Sequence, residues 1–266
     1  MFLRVQRFGL LTTTIILSVS AQNYRKKLGE MTRIIQIHRE DWHSPDVFVG
    51  GDAQVGLDGN IIVGLLKLMY IVKSTTGEIL NQIAFEGFEM SSIQFYQNTV
   101  VVLLSENRGI TLNSCPGCIV VLNENYSEIC RWKTKPARDF MVVENKVHLA
   151  DYETGDIIVY DWQTEARLPE IIIRNGECTG LTQYQPSSIV VLDAKYNTVQ
   201  KYNINKNRFS LVWSQKVIKP HIAGVDEHGL IWIRSNTFTT LTIITRSGQF
   251  IYMLYTLDDA WIVNLC

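Results

Sequence analysis

The sequence predicts an all-β fold built from repeated four-stranded antiparallel sheets, and three observations predict it. Strand-sized apolar or alternating runs recur along the chain with Gly, Asn and Asp between them, which is hairpin chemistry. No segment sustains a 3.6-residue apolar period over a dozen positions, so helices are nearly absent. The strand pattern itself repeats. Lys146–Asp151 with Ile157–Asp161 returns 42 residues on (151 to 193) as Ser188–Asp193 with residues 199–203, setting Asp193 on Asp151 and Tyr202 on Tyr160.

The same step taken again reaches residues 230–235 and 241–245. Upstream, 101–105 and 119–123 match with about eight extra residues between them, and 60–64 with 69–73 match more loosely. Each unit continues into a polar turn (75–78, 123–127, 161–165, 203–207 or 246–248) and then another strand (79–85, 128–132, 168–173, 209–213 or Phe250–Tyr255). A further strand precedes the unit, as at 139–143 and 221–225. Four short strands repeating every 40–45 residues or so is the signature of a β-propeller blade. One blade alone leaves both its faces bare, and stacking blades around an axis buries them.

Five copies lie between residues 46 and 255, and the chain ends supply the rest. Residues 29–37 resemble 77–83, a turn and an outer strand, while Ala260–Leu265 is an orphan strand. The expectation is a single six-bladed β-propeller of four-stranded antiparallel blades, its ring closed by N- and C-terminal strands. In that composite blade residues 13–19 are the second strand and 22–27 the third. Closure removes the sheet edge that an open fan exposes.

Residues 1–21 carry a competing pattern. Arg4 and Arg7 form a positive start, 8–19 an uncharged and largely apolar run, and Val19-Ser20-Ala21 a small-residue cleavage site. That is signal-peptide grammar. It divides the chain into a leader, 1–21, and a propeller, 22–266, and makes the protein secreted. The alternative keeps 1–21 as blade strands in a cytoplasmic protein. No uncharged run is long enough to span a bilayer.

The strand–turn–strand text of 143–151 through Asp161, 188–203 and 224–233 resembles NHL-type propellers and their gluconolactonase-like relatives. It departs from their pattern where Ser235 stands in place of Asp. The resemblance implies the fold far more strongly than the function. Lactonase-type members hold a divalent cation at the axis with Glu, Asn and Asp, so a metal-dependent hydrolase using calcium is the implied alternative. Asp151 and Asp193, at the ends of equivalent strands, are its candidate ligands. A turn carboxylate accepting backbone N–H bonds explains them as well.

With 25 Lys and Arg against 26 Asp and Glu, the net charge is −1. That excludes a nucleic-acid binder working by phosphate neutralisation. No GxSxG, GxxxxGK[ST], HExxH or GxGxxG occurs, so hydrolase, nucleotide and zinc-protease readings lose their usual anchors. Cys115-Pro-Gly-Cys118 supplies two of the four ligands zinc normally takes and precedes a strand rather than a helix. A loop disulfide if the protein is secreted, plain thiols, and metal or redox work are the readings it leaves. Asn125-Tyr126-Ser127 is an N-glycosylation sequon in a hairpin turn.

The insertion 105–117 is the most individual feature of the chain. Asn107, Arg108 and Asn113 offer polar contacts there, and loops on a rigid scaffold are where recognition is usually placed. Trp42 and His43, in an irregular segment, join them as candidate binding residues. His148 alternates with Val147 and Leu149 on a strand and reads as a packed or solvent-facing residue. Trp132, Trp162, Trp213, Trp232 and Trp261 read as inter-blade packing. The function expected is non-catalytic: a monomeric propeller presenting a loop face to a protein or small ligand, with no cofactor. A secreted carrier of an apolar ligand in the axial pocket is a further alternative.

Overall fold

A computed structural model describes residues 51–255 apart from short connections (57, 66, 107–115, 152–153, 173–176, 186, 206–207, 227 and 236–239), together with the backbone of 2–8, 12–18, 34–37 and 260–265. Among the described residues the 24 elements are all strands. Five four-stranded antiparallel blades are each continuous in sequence. Blade one holds β4 (Gly51–Val55), β5 (Ile61–Leu65), β6 (Leu68–Val72) and β7 (Ile79–Ala84). Blade two holds β8 (Phe88–Tyr96), β9 (Thr99–Glu106), β10 (Gly117–Leu122) and β11 (Glu128–Thr134). Blade three holds β12 (Ala137–Val143), β13 (Lys146–Asp151), β14 (Ile157–Asp161) and β15 (Arg167–Ile172). Blade four holds β16 (Cys178–Gln185), β17 (Ser188–Asp193), β18 (Thr198–Asn205) and β19 (Arg208–Lys216). Blade five holds β20 (Pro220–Val225), β21 (Ile231–Ser235), β22 (Thr240–Ile244) and β23 (Phe250–Tyr255). The strand positions follow the repeat closely because β-branched runs such as Val100–Leu104 can only be buried as strands with two covered faces.

The core lies between blades. Val100, Val102 and Leu104 of β9 pack with Ile62, Met69 and Ile71 of blade one. Val101 and Leu103, pointing the other way by the period of two, pack with Phe140, Val142, Val147 and Leu149 of blade three. Blades three and four meet through Met141, Val143, Ile189, Val191 and Tyr202. Blades four and five meet through Val190, Leu192, Ile231 and Ile233. Fully burying each such side chain contributes about 1.5–3 kcal/mol. A one-residue slip in any second strand would exchange its two sets of partners, so packing on both faces fixes the register.

Two turns show how local chemistry serves this stacking. The hairpin between β12 and β13 places Glu144 and Asn145 at φ 50° and 58°, the geometry that matches strand twist. Gly248, at φ 83°, lies under the Trp213 indole, and a Cβ there would meet the ring at 2.8 Å.

The six-bladed expectation is corrected to five blades of defined packing. Strands β1 (Phe2–Phe8), β2 (Thr12–Ser18), β3 (Ile34–Ile37) and β24 (Ala260–Leu265) hydrogen-bond in the order β24-β1-β2-β3. Phe2–Phe8 takes the second place and Thr12–Ser18 the third, whereas the repeat put 13–19 second and 22–27 third. No side-chain packing is described for these strands, and closure of the ring forms no part of the described fold. The misplacement has a simple source. Leu3 and Val5 alternate with Arg4 and Gln6 as in a strand, but the two arginines read as the start of a leader.

Candidate functional site

The first strands of consecutive blades, β4, β8, β12, β16 and β20, lie side by side and line the axis. Each is a sheet edge, so its outward backbone groups need partners from elsewhere. Polar side chains provide them. Gln94 on β8 accepts from the Val142 N–H through Oε1 at 2.6 Å and donates from Nε2 to the Val142 carbonyl at 3.5 Å. Asp139 on β12 accepts the Leu181 N–H at Oδ2 (2.7 Å) and the Phe140 N–H at Oδ1 (2.8 Å). Thr179 on β16 donates from Oγ1 to the Pro220 carbonyl at 2.7 Å. Each latch reaches from one blade to the first strand of the next.

Their electrostatics follow from this placement. Burial pushes the Asp139 carboxyl up to about 6, while the hydrogen bonds from Leu181, Ser92 and Phe140 pull it down. Burial, with the positive charges of Arg234 and Arg138, depresses His221 to about 4. Arg234, buried on β21, is lowered to about 9 by desolvation. Cys178 is a buried free thiol whose pKa is raised, chiefly by burial, which makes it a poor nucleophile. At Gly180 the first strands of blades four and five approach closely: a Cβ there would meet the His221 carbonyl oxygen at 2.8 Å and Leu192 Cδ1 at 2.9 Å.

The two aspartates expected as candidate metal ligands sit at equivalent strand ends. Asp151, 1% exposed, receives the Lys135 ammonium at 3.3 Å and its carbonyl accepts from Gly155. Asp193, 3% exposed, accepts the Glu177 N–H at 3.2 Å and the Tyr196 N–H at 3.0 Å. Both therefore fasten turns. Among the described residues no three or more His, Cys, Asp or Glu side chains come together in a metal-sized group. On the same face Arg138 and Glu177 pair at 2.6 Å across the blade three–four seam in a half-buried bridge.

Asn107, Arg108, Asn113, Trp42, His43 and Cys115 lie outside the described residues. Cys118 is buried at the start of β10, in the core shared with blade one. Asn125 sits in an exposed turn held by Asn123 Oδ1, which accepts the N–H groups of Asn125 and Ser127. His148 is 1% exposed and lies edge-on to Phe209 at 5.7 Å in the blade three–four seam. Trp132 and Trp162 meet edge-on at 5.2 Å, Trp213 donates to the Arg246 carbonyl, and Trp232 donates to Asp226. The described tryptophans therefore pack or brace blades. The latches Gln94, Asp139 and Thr179 escaped the sequence reading. No signal in the sequence singled them out, because first strands such as Phe88–Tyr96 and Cys178–Gln185 carry several polar residues each.

No protein-family profile matches the chain, and no curated protein does. Solved structures do. A protein of unknown function from Bacteroides caccae is 12% identical, with a TM-score of 0.67 over 96% of this chain and 94% of that one. The β-propeller domain of Cps50 (Swd1) from Myceliophteria thermophila is 11% identical, with a TM-score of 0.63 over 96% of this chain and 85% of that one. At such identities the likeness shows the fold alone: this chain is a β-propeller protein. Among the described residues no helix is long and apolar enough to cross a membrane.

Proposed function

We propose that this propeller is a non-catalytic binding module that presents its loop face to a protein partner. The observation carrying it is the use of the axial polar groups. Gln94, Asp139 and Thr179 are each committed to the backbone of the next blade, and Asp151 and Asp193 to their own turns. Groups tied into the scaffold in this way hold it rigid, and a rigid scaffold leaves recognition to its connections. The ends of β9 and β10 that flank residues 107–115 lie on the side at which Asp151 and Asp193 end strands of their own blades. The β10 end is anchored by buried Cys118.

The test is calcium titration with thermal unfolding, run beside turnover of a panel of lactones. The module gains no calcium-dependent stability and turns over none of the panel. Calcium-dependent stabilisation together with turnover would establish the lactonase-type hydrolase instead.

A further inference from the structure

The net charge of −1 conceals a division. Residues 194–225 contain six Lys and Arg and no Asp or Glu, so the remainder of the chain carries −7 (−1 minus +6). This basic stretch is the second half of blade four, from the β17–β18 turn onward, with the first strand of blade five. Lys201 is not part of the exposed charge: it is buried, its ammonium 3.9 Å from the Tyr184 ring centre. Lys195, Lys216 and Lys219 are exposed, and the fold gathers them.

The turn between β17 and β18 is clipped to the segment leaving β19. Val217 N–H donates to the Asn197 carbonyl at 2.9 Å, and Lys219 N–H to Asn197 Oδ1 at 2.7 Å. Lys216 Nζ donates to the Tyr196 carbonyl at 3.0 Å, while Lys195 Nζ stands 5.4 Å from the Tyr196 ring centre. On the two clipped segments, next in sequence to these lysines, two large apolar side chains face water: Tyr196 is 47% and Ile218 57% exposed. Asn197 and Lys219 both hold positive φ, 53° and 40°, a cost that the clip sustains. The result is a preformed knob that carries an exposed aromatic and an exposed aliphatic side chain among three exposed lysines.

We infer that this knob on blade four is a docking site for an acidic segment of a partner polypeptide that also carries aliphatic side chains. The inference rests on the binding-module reading and names the chemistry of one partner. Exposed Tyr beside Ile supplies the area that anchors an interface. The lysines steer acidic chains inward and reject basic ones. Because the turn is already fastened, little ordering cost falls on binding.

The test uses the full chain and a fluorescein-labelled short peptide of Asp, Glu and Leu, followed by anisotropy. A peptide with Lys in place of Asp and Glu serves as control, and vesicles containing phosphatidylserine as a third probe. The acidic peptide binds, the basic one does not, and affinity falls as salt rises. Tyr196→Ala and Ile218→Ser each weaken binding by about tenfold or more, and the double reversal Lys195→Glu, Lys219→Glu abolishes it, with circular dichroism and Tm showing the variants folded. Failure of the acidic peptide to bind overturns the inference, as does binding that survives the reversal. Vesicle binding without peptide binding also overturns it, in favour of an anionic membrane surface. None of these outcomes touches the calcium and lactone result, so the two proposals fail separately.

Discussion

His148 shows how a residue that looks functional in sequence is explained by its surroundings. It is buried in the seam between blades three and four, edge-on to Phe209. Burial, aided by the Lys146 charge, depresses its pKa to about 4 from the ordinary 6.5. The unfolded chain therefore takes up a proton at higher pH than the folded one. Stability is fully present above about 6.5 and is lost as pH falls through about 4. His221 acts in the same direction. Asp139 opposes them: its raised pKa means that stability is gained as pH falls from about 6 towards 3.8. Denaturant unfolding across this range is expected to show a flatter acid limb in His148→Phe than in the wild type. An unchanged limb would assign the proton uptake elsewhere. Packing is equally local at Gly64, where a Cβ would meet Met90 Sδ at 2.2 Å and Ile93 Cδ1 at 2.9 Å. Gly64→Ala should cost about 1–3 kcal/mol by overpacking, measured as a lowered denaturant midpoint with an unchanged m-value.

First strands are the elements with an unsolved edge, and the latches solve it. The Leu181 N–H facing the axis is tied to Asp139, and the Val142 N–H to Gln94. Hydrogen exchange should report each tie separately. Asp139→Ala is expected to speed exchange at Leu181 while leaving Val142 protected, and Gln94→Ala to do the reverse. Equal protection in wild type and variants would mean that the latches carry no load. Strands were legible in the sequence because they are buried on both faces. A run such as 100–104 has no polar side to show, yet its β-branched content and the returning turns mark it. The latches were not legible, since Gln94, Asp139 and Thr179 stand among other polar residues on their strands and look solvent-facing until the neighbouring strand is placed. Asp151 and Asp193 were read in both ways, and their recurrence at one strand end already contained the turn-fastening role that the structure shows.

At the scale of the whole molecule, period and composition together carried most of the architecture. A step of 42 residues, strands with two buried faces and very little helix lead to stacked four-stranded blades. What they did not carry was the arrangement of the ends, where no repeat spacing distinguishes a strand from a leader and Phe2–Phe8 satisfied both patterns. The overall charge misled in another way: a value near zero averaged the basic stretch 194–225 against an acidic remainder. Because each inter-blade core is shared by two sheets, loosening one seam weakens both neighbours, and damage at the axis should appear as a fall in global stability. Side chains retained for a ligand behave differently, since removing them commonly leaves stability unchanged or raises it. Thermal unfolding of Gln94→Ala, Asp139→Ala and Thr179→Val therefore tests most directly whether the polar axis is scaffold. Each loses a buried hydrogen bond worth about 1–2 kcal/mol, and each Tm is expected to fall by about 2–6 °C. Variants that keep or raise the wild-type Tm would contradict this account and return the axis to the list of ligand sites.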